Sequence, residues 1–304
     1  MNKSKSTLIG YGYLSAIIAT IFWSGNFTVA RGLIDNIPPV SLAYWRWLVA
    51  VIVLTPFAIK PLISDWPVIK NNMLYICITS ILGVSLFNTL IYIASHTTTA
   101  INLSLIAITF PIFIILLSRI LYHELLTVNK GIGVFLVTIG IATLITKGDF
   151  SALKNIDFAK GDLWMLLAAI TFAIYSLMLK KKPQQLGTRS FQLITFSIGL
   201  LFLVPFYIWE SSTTDFQIHT ISNTTFYSII YIGIFASLAS YILWGKAVEK
   251  IGPTKSSMIY YSLPIFSGFL SYLFLGESIE SIHLLSMFLI AAGIFTAIYE
   301  KKKT

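Results

Sequence analysis

Long runs of apolar side chains dominate this sequence, and they constrain the fold more than any motif does. We identify ten such segments: Leu8–Ala30, Val40–Ile59, Met73–Ser95, Thr98–Ile120, Gly131–Thr146, Leu163–Leu179, Ser190–Trp209, Thr225–Lys246, Ser256–Leu275 and Ile282–Ile298. A helix needs about 20 apolar residues to cross the roughly 30 Å hydrocarbon core of a bilayer. A continuous helix also pairs its own backbone N–H and C=O groups, as lipid requires. The pattern therefore predicts an all-α integral membrane protein with ten transmembrane helices.

The composition excludes the soluble classes of protein. Of 304 residues, 56% are apolar and 11% are charged, whereas soluble domains carry about 25% charged residues. Ten spans leave no room for a soluble domain of ordinary size. A cytosolic enzyme, a nucleic-acid binder and a secreted module are therefore excluded. The single cysteine, Cys77, also excludes an internal disulfide.

The positions of the basic residues predict the orientation. If the N-terminus lies inside, 16 of the 21 Lys and Arg residues fall on the inner side and four on the outer side, and Arg46 lies within the second span. Because cytoplasmic loops carry the excess of Lys and Arg, both termini are predicted to be cytoplasmic. The first segment has no clear cleavage site at its end, so we interpret it as a retained helix rather than a signal peptide.

An internal repeat relates the two halves of the sequence. Ser104–Glu124 and Ser257–Glu277 align without a gap, with eight of 21 positions identical, including a Pro-Ile-Phe run and the closing Glu. Two halves of five spans each must face opposite ways across the membrane. We therefore predict two inverted five-helix repeats, at 1–147 and 161–304, joined by an outer linker at 148–160. In such an arrangement the substrate site lies in a central cavity near the midplane.

Six stretches of the chain carry a resemblance to a known family: Ile21–Leu33, Pro39–Ala50, Pro111–Glu124, Gly161–Tyr175, Tyr241–Gly252 and Pro264–Ser278. In order and spacing they resemble the drug/metabolite transporter superfamily, in particular its ten-helix members with two EamA domains. The resemblance implies a multi-pass carrier of the bacterial inner membrane, often an exporter of amino acids or other small metabolites. It also implies a basket of helices whose central cavity is walled mainly by the first, third, fourth, sixth, eighth and ninth spans.

Polar and aromatic residues within the spans are the candidates for the substrate site, because polar groups at membrane depth are costly unless they have partners or a function. We predict that the cavity is lined by Trp23, Asn26, Asn88, Asn102, Tyr175, Tyr241, Trp244 and Tyr260. Alternatively, the amides form hydrogen bonds between helices, and the aromatic rings lie at the membrane interfaces.

Prolines, one arginine and two glutamates complete the candidates. Pro111 and Pro264 are predicted to kink their helices at corresponding places and to act as hinges. Arg46 is a possible contact for an anion, although its guanidinium could instead extend to the membrane interface. Glu124 and Glu277 end corresponding helices, and we interpret them as structural groups that face loop amides.

No carboxylate lies at the centre of a predicted span, which makes a carboxylate proton relay an unfavourable mechanism. We expect a transporter, not an enzyme, that exports small organic solutes such as amino acids by alternating access, through facilitated flux or exchange. The alternatives are an importer or exchanger of a nucleoside-like metabolite or an organic cation, and, in other classes, an integral-membrane enzyme or an assembly protein. The expected partners are a small-molecule substrate and the lipid bilayer, without cofactor, metal or nucleic acid. The oligomeric state stays open.

Overall fold

A computed structural model describes residues 3–31, 33, 36–98, 103, 106–107, 109–151, 159–214, 216–275 and 281–299. Helices dominate this part of the chain, and no strand occurs in it. In chain order the α-helices are α1 (Lys3–Arg31), α2 (Pro39–Ser64), α3 (Trp66–Asn71), α4 (Met73–Ser80), α5 (Phe87–Ser95), α6 (Thr109–Tyr122), α7 (Val128–Ile145), α8 (Lys160–Lys180), α9 (Thr188–Thr213), α10 (Asn223–Tyr231), α11 (Ser240–Tyr260), α12 (Leu263–Leu275) and α13 (Ser281–Ile298). A π-helix, Ile81–Leu86, joins α4 to α5, and another, Ile232–Ala239, joins α10 to α11. A short 3₁₀-helix spans Ile218–Thr220.

Eight helices of the described chain are long and apolar enough to cross a membrane. They are Leu8–Asn26, Pro39–Ser64, Met73–Ser95, Val128–Ile145, Lys160–Lys180, Thr188–Thr213, Asn223–Tyr260 and Ser281–Ile298. For the predicted fourth and ninth spans the structure describes the apolar helices α6 and α12, and each of them adjoins residues outside the described part of the chain. The prediction of a helical membrane protein is therefore confirmed for the described residues, whereas the count of ten spans stays a prediction.

The long helix Asn223–Tyr260 is interrupted towards its C-terminal end. Gly252 has φ 81° and ψ 162°, which is not a helical conformation, and Pro253 follows it. Glycine adopts a positive φ without steric cost, and proline suits the first turn of a new helix. The residues after Gly252 therefore form a separate helical piece that leads through the turn at Tyr261–Ser262 into α12.

Two carboxylates join α2 to the neighbouring helix α9, one at each end. Asp65, which follows α2, accepts a hydrogen bond at 3.0 Å from the backbone N–H of Gly187, just before α9. At the opposite end, Glu210 on α9 accepts hydrogen bonds from the backbone N–H groups of Val40 at 3.0 Å and Ser41 at 2.6 Å. Carboxylates at helix N-termini satisfy free N–H groups and complement the helix dipole. The two helices are thus antiparallel, and an acid from each caps the start of the other.

Other helix pairs also join a helix of the first half of the chain to a helix of the second half, as α2 and α9 do. Helix α1 packs along α11, and helix α8 packs along α5. The π-helices interrupt the third and eighth predicted spans at corresponding places, Ile81–Leu86 and Ile232–Ala239. Two inverted halves would produce such pairs, in which corresponding helices of the two halves pack against each other's neighbours. The inverted repeat and its bounds at 1–147 and 161–304 stay predictions, and residues 152–158 of the predicted linker lie outside the described residues.

Helices α7 and α13 approach each other closely at two glycines. A Cβ atom placed on Gly133 would lie 2.5 Å from the carbonyl oxygen of Gly293, and one placed on Gly293 would lie 2.6 Å from that of Gly133. Small residues allow such close backbone contact between membrane helices. Because apolar burial gives little driving force for helix association in lipid, this contact is a main source of the pair's packing energy.

Candidate functional site

Aromatic residues predicted to line a cavity meet in the interior of the protein. The ring of Trp23 lies 6.0 Å from that of Tyr241, 5.3 Å from that of Trp244 and 5.8 Å from that of Tyr260. Tyr175 lies 5.6 Å from Tyr241, and all five side chains are only 0% to 5% exposed. The membrane-interface alternative is therefore wrong for these residues. We define the central cluster as Trp23, Asn26, Arg46, Asn88, Tyr92, Phe172, Tyr175, Tyr241, Trp244 and Tyr260.

The two tryptophans of the central cluster have hydrogen-bond partners inside the protein. Trp23 Nε1 donates to the carbonyl oxygen of Ala236 at 3.0 Å, within the second π-helix. Trp244 Nε1 donates to Ser176 Oγ at 3.0 Å, which joins α11 to α8. Buried indole N–H groups need such partners. These bonds fix the orientation of both rings.

Arg46 is the charged residue of the central cluster and is 0% exposed. Its Nε donates to Ser237 Oγ at 2.7 Å, and its Nη1 donates to Asn88 Oδ1 at 2.9 Å and to the hydroxyl of Tyr92. Its Nη2 donates to the carbonyl oxygen of Ala236 at 3.2 Å. The guanidinium therefore lies inside the protein, and the alternative in which it extends to the membrane interface is wrong.

Of the three asparagines predicted to line the cavity, the structure describes two, and both belong to this hydrogen-bond network. Asn88 Nδ2 donates to the hydroxyl of Tyr241 at 2.8 Å, and that hydroxyl donates to the carbonyl oxygen of Gly83 at 2.6 Å, in the first π-helix. Asn26 Oδ1 accepts from the hydroxyl of Tyr92 at 3.5 Å. The predicted site residue Asn102 lies outside the described residues. The interhelix hydrogen bonds expected as the alternative are therefore present for Asn88 and Asn26.

Pro264 lies in the first turn of its helix, whereas Pro111 has described helical residues before it. Pro264 follows the turn at Tyr261–Ser262, so α11 and α12 are separate helices here rather than one kinked helix. Pro111 belongs to α6, and the described residues Leu103, Ile106 and Ala107 before this helix are helical as well, so no described helix end precedes the proline. A proline in the first turn loses no helical hydrogen bond, because the early N–H groups have no partner there. A hinge function of either proline stays a prediction.

Two small pockets flank the central cluster. One holds about 10 Å³ and is lined by Leu33, Ile37, Pro39, Leu42, Tyr92, Ser95 and His96. The other holds about 20 Å³ and is lined by Leu179, Lys182, Thr188, Phe191, Gln192, Gly245 and Glu249. Such volumes accommodate about one water molecule, so neither pocket admits an organic solute. Within the described part of the chain, the predicted lining residues are packed against one another instead.

Two residues of the central cluster, Tyr92 and Phe172, were not predicted from the sequence. Tyr92 bonds to Arg46, and the ring of Phe172 lies edge-to-face against that of Trp23, with ring centroids 5.6 Å apart. A signal existed for both: Tyr92 follows Asn88 by four residues, and Phe172 precedes Tyr175 by three, so each shares a helix face with a predicted residue. The backbone acceptor at Ala236 gave no such signal, because any residue type could supply that carbonyl.

Glu124 has different partners from those expected. Its Oε1 pairs with Lys180 Nζ at 3.0 Å, and its Oε2 accepts from Thr254 Oγ1 at 2.6 Å. It therefore connects the ends of α6, α8 and α11 by side-chain contacts, and the prediction that it faces loop amides is wrong. Glu277, its counterpart in the repeat, lies outside the described residues.

Comparison with known proteins identifies the family. The profile of the EamA-like transporter family matches residues 10–146 and 159–299. The chain is 24% identical to "Uncharacterized transporter YyaM" of Bacillus subtilis (strain 168) over 286 residues, which cover 94% of this chain and 92% of that protein. An "Uncharacterized transporter" of Archaeoglobus fulgidus is 23% identical over 293 residues, covering 93% and 96%. A crystal structure at 18% identity superposes with a TM-score of 0.71 over 94% of this chain and 96% of that one, so the fold is shared. The family resemblance predicted from the motifs is confirmed, and the chain belongs to the EamA-like transporter family.

Proposed function

We propose that this protein exports small organic solutes, such as amino acids or related metabolites, across the bacterial inner membrane by alternating access. The central cluster is the substrate site, and ten spans form two inverted halves with cytoplasmic termini. Movement of the two halves opens the site to one side at a time. Flux follows the solute gradient or proceeds by exchange.

The observation that supports this proposal is the convergence of the predicted site residues. Trp23, Tyr175, Tyr241, Trp244 and Tyr260 come from α1, α8 and α11, yet they form one buried contact network. Two amides and an arginine add hydrogen-bonding groups to it. An aromatic surface with a few directed polar groups is the usual make-up of a small-molecule site.

The two small pockets indicate where the closed site would open. The pocket beside Tyr92 lies where α2 begins, next to the end of α9. The other pocket lies at the start of α9, beside Gln192, whose Nε2 donates to the carbonyl oxygen of Tyr241 at 3.3 Å. The pockets are therefore at opposite ends of α9, with the central cluster between them. We infer that the structure corresponds to the closed intermediate of the transport cycle.

Other functions receive less support from the site. A positive charge inside the central cluster disfavours an organic cation as the solute. An importer or exchanger of a nucleoside-like metabolite stays the second candidate, because the aromatic rings suit a flat base. An integral-membrane enzyme would need acid and base groups that are available to a substrate, and the carboxylate of Glu124 is instead bonded to Lys180 and Thr254. An assembly protein would not need a buried polar network at all.

A solute-retention screen in cells that express the protein tests the proposal. Amino acids, nucleosides and quaternary ammonium cations are loaded, and their loss is followed in wild-type, Trp23→Ala and Asn26→Ala cells. We expect faster loss of one solute class with the wild type and about thirtyfold slower loss with Trp23→Ala, because truncating a buried aromatic anchor costs roughly 2 kcal/mol of binding.

Matched variants control for general effects on the membrane protein. Trp209 is 66% exposed, so Trp209→Ala removes the same residue type outside the site. Asn71→Ala does the same for the amide, since Asn71 is exposed. Trp23→Phe keeps an aromatic ring at this position, and efflux by this variant would show that a substitution at Trp23 still allows the protein to fold. If cells with the wild-type protein and cells without it retain every solute equally, the proposed function is wrong. The same holds if the control variants reduce efflux as much as the site variants do.

A further inference from the structure

Arg46 carries a buried positive charge for which the described residues supply no carboxylate within ion-pair distance. The six described carboxylates all have other partners, near helix ends and in loops: Asp65, Glu124, Asp149, Asp162, Glu210 and Glu249. A charge inside the membrane is expensive, and such residues usually pair with an opposite charge or serve a transported ligand. Within the described part of the chain, the charge of Arg46 is hydrogen-bonded but not neutralised.

The described groups around the guanidinium supply acceptor atoms but no negative charge. All four described partners of Arg46 are neutral, and the carbonyl oxygen of Ala236 is shared between Arg46 and Trp23. Trp47 is 0% exposed, its ring lies 5.3 Å from the guanidinium, and its Nε1 has no hydrogen-bond partner among the described residues. A buried donor without an acceptor is costly. An anion bound here would supply both the missing charge and further acceptor atoms.

One of the small pockets borders Tyr92, a hydrogen-bond partner of Arg46. Tyr92 lines the pocket at the start of α2, and its hydroxyl accepts a hydrogen bond from Arg46 Nη1. The same hydroxyl contacts Asn26 of α1. A movement of Tyr92 would therefore connect this pocket to the guanidinium.

We propose that Arg46 binds the carboxylate of the transported solute, and that Asn88, Tyr92 and the Ala236 carbonyl take its place when the site is empty and closed. This inference rests on the proposed transport function. The planar guanidinium matches a carboxylate with two parallel N–H donors, and the aromatic rings of the central cluster contact the rest of the solute. The solute is thus a monocarboxylate or an amino acid with an apolar or aromatic body.

Paired acids and amides test this recognition in proteoliposomes that contain the purified full chain. The pairs are L-phenylalanine with L-phenylalaninamide, L-leucine with L-leucinamide, and 3-phenylpropionate with 3-phenylpropionamide; the last pair lacks the amino group. We expect at least one acid to be transported, and to be about ten- to a hundredfold more effective than its amide, as the loss of a charged hydrogen bond predicts. Transport of 3-phenylpropionate would identify monocarboxylates as substrates, and transport of the amino acids alone would identify zwitterions.

Variants of Arg46 locate the selectivity. Arg46→Gln should abolish the preference for the acid, and Arg46→Lys should keep part of it. Arg189→Gln removes an exposed arginine and should leave the preference unchanged. The wild-type comparison needs no variant, so a failure of Arg46→Gln to fold does not affect it. If the amides or other solutes are transported as well as the acids, the role of Arg46 is refuted while transport stands; if no solute crosses, both proposals fall.

Discussion

Among single residues, Glu124 connects three helices and responds to pH in a predictable direction. Burial raises the pKa of its carboxyl, but the hydrogen bonds from Thr254 and Lys180 and the charges of Lys180 and Lys130 outweigh burial, so the pKa is lowered. A lowered pKa means that the folded state favours the charged form. The stabilisation is therefore complete above the ordinary pKa of 4.5 and is lost as the pH falls through the lower pKa of the folded state.

We expect Glu124→Gln to lower the unfolding free energy at pH 7 by about 1 kcal/mol or less, since the ion pair is partly exposed. Below the lowered pKa the wild type and the variant should become equally stable, because the wild-type carboxyl is then neutral as well. Thermal unfolding in detergent between pH 7 and pH 3 measures both. Glu249→Gln, which removes an exposed pair with Lys250, is the control. A gap between wild type and Glu124→Gln that is the same at both pH values would contradict the role of the charge.

How well single residues could be predicted depended on the kind of contact they make. Trp23 and Tyr241 were predicted because a polar-tipped ring inside an apolar run is conspicuous. The burial of Arg46 was not, since the same sequence position permits both a surface-reaching and an inward side chain. Its acceptors, the Ala236 carbonyl and Ser237 Oγ, lie about 190 residues away in the chain. Sequence spacing along one helix cannot reveal them.

Among the helices, the contact of α7 with α13 gives a test of close packing. Gly133→Ala would place a Cβ atom 2.5 Å from the carbonyl oxygen of Gly293, so one helix must shift. We expect a loss of about 1–3 kcal/mol in unfolding free energy, as for other overpacked sites. Gly131 lies on the same helix with no atom within 4 Å of such a Cβ.

Gly131→Ala is therefore the matched control for that variant. It should stabilise the protein by up to about 1 kcal/mol, because alanine is the better helix former. Thermal unfolding of both variants in the same detergent gives the comparison. Equal stabilities for Gly133→Ala and Gly131→Ala would show that the helices do not meet at these glycines.

Hydropathy predicted most of the helices, but it did not predict the breaks and π-helices that interrupt them. Eight long apolar helices match predicted segments, because one bilayer thickness fixes their length. The Gly252-Pro253 pair lies in a predicted gap, yet helix continues on both sides of Gly252. The π-helices could not be predicted, because their hydrogen-bond shift depends on packing rather than on any one residue type.

For the whole molecule, the inverted arrangement makes a topological prediction. Reporter tags inserted at Gly148 and at 183–187 should lie on opposite sides of the membrane, since α8 crosses between them. Tags at both termini should report the cytoplasm. Alkaline phosphatase and fluorescent-protein fusions provide two independent readouts of each position. Equal signals from Gly148 and the 183–187 loop would disprove the inverted halves.

The closed state of the site could not be derived from the sequence either. Residue types suggested a polar and aromatic interior, but whether Trp23 and Tyr260 enclose a space or touch each other depends on how the helices are placed. Their rings lie 5.8 Å apart here. A carrier must adopt more than one such placement with the same residues.

The charge of Arg46 has a consequence for energetics on the membrane scale. It lies inside the protein on α2, whose length and apolarity suit it to cross the bilayer. Moving a full elementary charge through the entire electric field of a membrane changes the energy by about 2.3 kcal/mol per 100 mV. Any displacement of this helix along the membrane normal therefore performs electrical work, and a bound anion would cancel it. The voltage across the membrane would then act on the unloaded protein and not on one that holds a monocarboxylate, whereas a zwitterionic amino acid would leave the net positive charge in place.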